Sequence, residues 1–307
     1  ETGDLMDADA VHRRLLSLRE RLRRERPFFL WIFYYDPHAP YTPRSPWIEE
    51  YARHPALIGD PALNASNFDD DIDGSKSGVR DDPARRETLV DLYDSEIAYT
   101  DDFIRRLFSE VLPSGETLVI LHADHGEEFL EHGRLAHGRT LYAQAVRIPL
   151  ILADPQGEWA GKVVGDPASI LDIYPTILDC LKIPPPPGLQ GVSQLDRLSG
   201  SAPRPSRPLA CELEEEEAPR LQSLLRNGSR LIRGGGESNA GERHLFDIAR
   251  DPDEANDLLP GGSERAAALE GALEEWLRIT PRFSYQRREQ RWTPEAREKL
   301  RALGYLK

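Results

Sequence analysis

Several features are scarce in the 307-residue chain, and each scarcity argues against a class of protein or of partner. Its longest apolar run, Phe28–Tyr35, is far shorter than the roughly 20 residues of a membrane-spanning helix, and no signal peptide is visible at its start. Basic residues are outnumbered, since 39 Lys and Arg face 53 Asp and Glu for a net charge of −14. We expect no nucleic-acid partner, because affinity for phosphate comes from lysine and arginine. The two cysteines, Cys180 and Cys211, fit either one disulfide or two thiols.

What is present is the composition of a globular chain, with 39% apolar and 30% charged residues. The length allows one large core, or one core and a small second domain. Gly200–Pro208, rich in proline and serine, predicts a domain boundary. We therefore expect a main α/β domain in residues 1–200 and a C-terminal subdomain in residues 209–307. The subdomain's predicted elements are strands at Leu209–Leu213, Leu221–Arg226 and Ser229–Arg233, a hairpin turn at Asn227-Gly228 and a helix at Ala266–Leu277.

Three segments of the main domain have clear local signals. The aromatic and aliphatic run Pro27–Tyr35 predicts a fully buried central strand. Prolines follow it at positions 37, 40 and 43 and stiffen the loop that carries His38 at the predicted strand end. Asp82-Pro83 predicts the start of a long helix, because the aspartate caps it and proline suits the first turn. Ile148–Ala153 predicts a further short strand.

The most informative stretch begins with the apolar, β-branched run Thr117–Leu121, which predicts a buried strand. Ligands of open α/β sheets collect beyond the carboxyl ends of the strands, and Asp124 and His125 would lie there. Together they offer one hard oxygen and one borderline nitrogen to a divalent cation, and Gly126 permits close backbone approach. Taken alone, an Asp-His pair is more often a polar turn than a metal site.

The residues that follow favour the metal site. His132, His137 and Arg139 lie in one loop among glycines. With His122 and His125, this short stretch holds half of the chain's eight histidines. A purely solvated surface rarely needs such a cluster. The sequence therefore predicts a functional site after the strand, with His38 facing the same cavity from its own strand end.

Residues 122–149 resemble the second metal-binding motif of the sulfatase branch of the alkaline phosphatase superfamily. That motif reads S/A-D-H/N-G, followed by H/K-G-x-T-x-Y-E and R-x-P. The resemblance implies that Asp124 and His125 bind a metal and that His137 faces the sulfate or phosphate of the substrate. Ala143 departs from the motif, where an acidic residue is common.

Two other segments resemble the same family. The loop around His38 is similar to an F-x-x-x-H-x-P-Y-type loop, whose histidine faces the ester oxygen of the leaving group. The sequence HLFDIARDPDEANDL, at residues 244–258, resembles E-L-Y-D-L-x-x-D-P-x-E-x-x-N-L. The fold implied is an alkaline-phosphatase-like α/β/α sandwich, incomplete on its N-terminal side, with a small C-terminal antiparallel α+β subdomain.

The resemblance also implies a cofactor and a mechanism. Members hold one divalent metal, most often calcium, although His125 suits zinc or manganese better. They also carry C/S-x-P-x-R, whose Cys or Ser becomes formylglycine. That motif does not occur in this sequence, so we expect it upstream, in a longer protein of which this chain is the downstream part. His38 would then protonate the leaving group, while His137 and Arg139 neutralise charge on the transferred group. Arg139 has an alternative role, a simple ion pair with a glutamate.

The sequence leaves three functions open. The first is metal-dependent hydrolysis of small-molecule or carbohydrate sulfate esters. The second is phosphoryl chemistry, as in phosphonate or phosphodiester hydrolases and phosphoethanolamine transferases, which also carry D-H-G-E and H-G. The third is a non-catalytic metal- or carbohydrate-binding module. By resemblance to sulfatases we expect a periplasmic or secreted protein.

Overall fold

The computed structural model describes residues 7–63, 71–113, 115–200, 207–214, 220–235 and 241–280. Contacts divide the chain into two compact units between Thr117 and Leu118, and each unit is described by itself. The boundary predicted at residues 200–208 remains a prediction, and part of that stretch lies outside the described residues.

The described residues of the first unit are mainly helical. The helices are α1 (Ala8–Arg24), α2 (Ile48–Tyr51) and α3 (Pro83–Arg106), with a 3₁₀ turn at Pro55–Leu57 and a π-helical turn at Leu107–Val111. As predicted, Asp82 caps α3, since its carboxylate accepts the backbone N–H groups of Ala84 and Arg85 and satisfies donors that have no partner within the helix. Helix α3 contacts both α1 and α2.

The prediction of a fully buried strand at Pro27–Tyr35 is wrong for this structure. The segment is not part of any sheet among the described residues. The side chains of Phe29, Trp31 and Phe33 are 83%, 74% and 48% exposed, while the residues between them are partly buried. An apolar run is buried on both faces only if other strands and helices cover it, and that depends on partners distant in the sequence.

The second unit begins with β1 (Val119–His122), which pairs antiparallel with β4 (Leu150–Ala153). Between them lie a small hairpin of β2 (Glu128–Phe129) and β3 (Leu135–Ala136), and the short helix α4 (Ala143–Val146). Both predicted strands are present, with boundaries shifted by two residues or fewer. The predicted burial of the first strand is wrong for this structure, because Val119–Leu121 are half-buried and His122 is exposed. A 3₁₀ turn at Ile170–Asp172 leads into α5 (Ile173–Cys180), and α6 (Leu195–Leu198) follows.

The C-terminal part of this unit is a four-stranded antiparallel sheet in sequential order. Its strands are β5 (Leu209–Leu213), β6 (Leu221–Arg226), β7 (Ser229–Gly234) and β8 (Arg243–Asp247). Helix α7 (Ser263–Ile279) follows a 3₁₀ turn at Leu259–Gly261. The predicted hairpin is confirmed: Asn227 and Gly228 join β6 to β7 with φ angles of +50° and +72°, the backbone that a two-residue turn requires.

Successive strand residues point to opposite faces of this sheet, and other residues cover both faces. On one face Leu224, Leu231 and Leu245 pack against α7 through Ala266, Leu269 and Leu273. On the other face the buried residues are Leu221, Ile232 and Phe246, and they pack against Leu141, Tyr142 and Val146. Residues 141–146, just after the loop that carries His132, His137 and Arg139, are therefore part of the core of the C-terminal sheet.

Two further observations concern the cysteines and the helices. Cys180 and Cys211 are free thiols. Within the described part of the chain, no helix combines the length and the apolar character needed to cross a bilayer.

Candidate active site

Asp124 and His125 lie just beyond the end of β1, where the sequence predicts them. The Asp124 side chain is 61% exposed, so it is turned away from the apolar interior. Its Oδ1 accepts the backbone N–H of His125 at 3.0 Å and lies 3.8 Å from His125 Nε2. His125 Nδ1 is 2.9 Å from the carbonyl oxygen of Gly126. A carbonyl oxygen only accepts, so this hydrogen bond places a proton on Nδ1, and in the neutral imidazole Nε2 carries the lone pair.

The Asp124–His125 pair fits a divalent cation. Zinc–nitrogen and calcium–oxygen bonds are about 2.0–2.5 Å long, so two donor atoms 3.8 Å apart can share one ion. A metal-bound histidine usually donates its other N–H to a carbonyl or carboxylate, as His125 does to Gly126. The described residues contain no group of three or more His, Cys, Asp and Glu suited to a metal. The pair therefore supplies only part of a coordination sphere.

Gly126 is required by the close approach of two backbone segments. Its N–H donates to the carbonyl oxygen of Ala145 at 2.8 Å. A Cβ atom at this position would lie 2.0 Å from the carbonyl oxygen of Gln144. Gly126 therefore allows the turn after His125 to lie directly on the backbone of α4.

His137 lies against His125 and is held by Glu127. The two imidazole rings are stacked, with their centroids 3.8 Å apart. Glu127 is a buried carboxylate, and its Oε1 accepts a hydrogen bond from His137 Nδ1 at 2.9 Å. A carboxylate in this place fixes the tautomer and the ring orientation of the histidine. The structure therefore brings Asp124, His125 and His137 together in the second unit.

Arg139 and Thr140 follow in the same loop. Arg139 is partly buried, and the Thr140 hydroxyl donates to Glu128 Oε2. Burial raises the pKa of Glu128 to about 7, because a desolvated carboxylate favours its protonated form. Sequence reasoning missed Glu127 and Glu128. Their position directly after Asp-His-Gly is the one signal available, and it does not show which histidine or hydroxyl they contact.

His38 lies in the first unit. Its Nδ1 is 2.7 Å from the Tyr35 hydroxyl and 2.7 Å from the carbonyl oxygen of Ala39, and the rings of Tyr35 and His38 stack with centroids 4.6 Å apart. These contacts fix the imidazole within its own loop. The cavity predicted to join His38 to Asp124 and His125 remains a prediction.

Buried carboxyl groups hold the two ends of the His38 loop. On one side Asp36 accepts the Ala8 N–H at 2.7 Å and pairs with Arg44 at 2.7 Å. On the other side Glu96 of α3 accepts the Thr42 N–H at 2.9 Å. Burial raises the pKa of Glu96 to about 8, so this carboxyl is readily protonated in the folded protein.

The sulfatase family model matches residues 8–183, which is more than half of the chain and includes every predicted site residue. The chain is 30% identical over 181 residues to the uncharacterized sulfatase YidJ of Escherichia coli, covering 57% of this chain and 35% of that protein. It is 33% identical over 165 residues to mouse arylsulfatase K, covering 52% of this chain and 30% of that protein. The chain thus spans about a third of the length of these relatives.

A solved structure shows the same fold. The protein BT4656, solved in complex with its substrate D-glucosamine-2-N,6-O-disulfate, superposes with a TM-score of 0.63 at 18% identity, covering 91% of this chain and 70% of that one. This likeness confirms the predicted alkaline-phosphatase-like α/β fold. Together with the match of the family model, it supports one conclusion: the chain belongs to the sulfatase family.

Proposed function

We propose that the protein containing this chain hydrolyses sulfate esters with the help of a divalent metal. The observation that carries the proposal is the cluster after β1. A carboxylate and an imidazole nitrogen 3.8 Å apart suit a cation, and His137 is stacked directly on the imidazole. A cation beside an imidazole that would be protonated suits an anionic group in transfer. In this proposal Asp124 and His125 are metal ligands, and His137 binds the sulfate.

A metal bound by Asp124 and His125 would polarise an oxygen of the ester and assist formation of the nucleophile. Sulfatases usually hold calcium, whereas a nitrogen donor in the coordination sphere favours zinc or manganese. The imidazole of His125 is the specific observation behind a second candidate function, hydrolysis of phosphate diesters or phosphonates. The nucleophile, formylglycine in sulfatases, is proposed to come from a segment upstream of this chain.

The remaining roles concern charge and protons. Arg139, partly buried two residues after His137, would neutralise charge on the transferred sulfate together with that histidine. His38 would donate a proton to the departing oxygen, a task suited to imidazole because its ordinary pKa lies close to neutral pH. Tyr35 and the Ala39 carbonyl, which contact Nδ1, would keep the ring in one orientation.

The substrate class we propose is a carbohydrate sulfate ester. BT4656, which shares the fold, was solved with a sulfated glucosamine. Following the family resemblance, we propose a periplasmic or secreted location for the whole protein. Cell fractionation followed by immunodetection tests that location, and recovery only in the cytoplasm contradicts it.

The test of function compares p-nitrophenyl sulfate with p-nitrophenyl phosphate and bis-p-nitrophenyl phosphate, in the presence of calcium, manganese or zinc. The protein tested is the product of the complete reading frame. We expect the sulfate ester to be hydrolysed fastest. Preference for either phosphate ester supports the second candidate, and no turnover of any ester supports a binding module. H137K, which keeps a cation, should retain much more activity than H137A.

A further inference from the structure

Glu254 is a fully buried carboxylate in the D-P-D-E turn after β8, outside the segment that the sulfatase family model matches. Its Oε2 accepts the backbone N–H of Ala143 at 2.8 Å. Its Oε1 lies 3.1 Å from Arg230 Nη1, an ion pair without the alignment of a hydrogen bond. Arg230, whose side chain is 10% exposed, also donates to the carbonyl oxygen of Leu141 at 3.4 Å. The pair therefore holds the backbone on both sides of Tyr142.

Two unfavourable features coincide at this glutamate. A buried ion pair loses the hydration of both charges, and replacing it with apolar residues is often neutral or stabilising. Glu254 also has a φ angle of +56°, in the left-handed region that residues other than glycine rarely adopt. Strained backbone that also carries a buried charge is typical of residues kept for function rather than for stability.

Neighbouring contacts hold the same segment from other sides. The Tyr142 ring stacks on His132 with centroids 3.6 Å apart and planes inclined by 5°. His132 Nε2–H in turn donates to the carbonyl oxygen of Asp253, next to Glu254, at 3.2 Å. Leu141 packs in the core on the sheet face opposite α7. The D-P-D-E turn therefore contacts Ala143 through the Glu254 carboxylate. Its backbone contacts His132, on which Tyr142 stacks.

The loop from His137 to Ala143 is short, so fixing one end restricts the other. Glu127 holds His137 and Glu128 holds Thr140, but both carboxylates belong to the β2 region next to the metal pair. Glu254 and Arg230 supply the fixed point on the C-terminal sheet. We propose that Glu254, paired with Arg230, is a positioning residue that sets where His137 and Arg139 meet the sulfate group. This inference rests on the proposed function for what the loop binds.

The test follows the ring signals of His137 by NMR and the hydrogen exchange of the Ala143 amide in E254A and E254Q. We expect E254A to shift the His137 signals and to speed exchange at Ala143 by at least about tenfold, the effect of losing one hydrogen bond to a charged group. E254Q keeps an acceptor for the Ala143 N–H and should change both readouts less. If E254A does not fold, the same two readouts are measured in E254Q and R230M.

Two controls separate positioning from stability. E274Q removes the exposed carboxylate of α7 that pairs at 2.6 Å with Arg233, a residue of β7 like Arg230, and should leave both readouts unchanged. L273A destabilises the sheet from its α7 face and should lower the melting temperature without shifting His137. The inference is overturned if His137 is unmoved in all of the variants E254A, E254Q and R230M that fold, or if L273A shifts it equally. Neither readout requires turnover, so a failure of sulfate hydrolysis would leave this result standing.

Discussion

The imidazole rings of His125 and His137 lie face to face, with centroids 3.8 Å apart and planes inclined by 29°. Their outer partners differ, since His125 contacts the Gly126 carbonyl and His137 contacts the Glu127 carboxylate. The stack therefore joins the proposed metal ligand to the proposed sulfate ligand. Substitution of either histidine should therefore alter the position of the other ring.

Replacing His125 with alanine should weaken binding of zinc or manganese to the chain by at least about tenfold, because one of two adjacent donors is lost. Isothermal titration of each metal measures this. H122A is the matched control: His122 is an exposed histidine at the end of β1, three residues away, and its Nδ1 contacts the carbonyl oxygen of Ala123 at 2.8 Å. Equal losses in H122A and H125A would contradict the assignment of His125.

Replacing Gly126 with alanine should destabilise the fold by about 1–3 kcal/mol, the usual cost of inserting a methyl group into packed structure. The added Cβ would lie 2.0 Å from a backbone oxygen, which no rotation of a side chain relieves. G271A is the control, because Gly271 lies within α7 with open space around its Cα. That variant should gain about 0.5–1 kcal/mol from helix propensity. Urea denaturation measures both, and a neutral G126A would disprove the close approach.

Glu96 should make stability depend on pH. Burial raises its pKa from 4.5 to about 8, so its contribution is fully present below the unfolded value and is lost as the pH rises through about 8. Relative to the wild type, E96Q should therefore gain about 2–4 kcal/mol in unfolding free energy between about pH 5 and about pH 9. Denaturant titrations across this range test it. E50Q, at an exposed glutamate of α2, should show no such trend.

Replacing Asp82 with alanine should cost about 1 kcal/mol, because the cap of α3 is lost and two backbone N–H groups lose their acceptor. The neighbouring D81A removes only an exposed pair with Arg80 and should change stability by less than about 0.5 kcal/mol. Thermal denaturation compares the two variants. Similar losses would mean that Asp82 does not act through capping.

The elements that sequence reasoning found are those with local signals. The strands from Leu209 to Gly234 alternate with turn residues, and Asn227-Gly228 specifies the hairpin without help from distant residues. Asp82-Pro83 marks a helix start within a few positions of chain. The positions of Asp124, His125 and Gly126 were predictable for the same reason, since these residues come just after strand β1 in the chain.

Features that depend on distant partners were not predictable. The burial of Pro27–Tyr35 depends on neighbouring elements, and its hydrophobic run carries no information about them. The contact of Glu254 with Ala143 joins residues 111 positions apart. The sequence pattern places Glu254 in a motif. It does not reveal which backbone N–H donates a hydrogen bond to the carboxylate.

The two covered faces of the C-terminal sheet have a practical consequence for truncation. The family model ends its match at residue 183, but a polypeptide cut there would lose Ile232 and Phe246, the apolar surface on which Leu141 rests. It would also lose both charged groups that hold the backbone beside Tyr142. The smallest piece of this chain that keeps the loop of His137 and Arg139 in place therefore extends through α7.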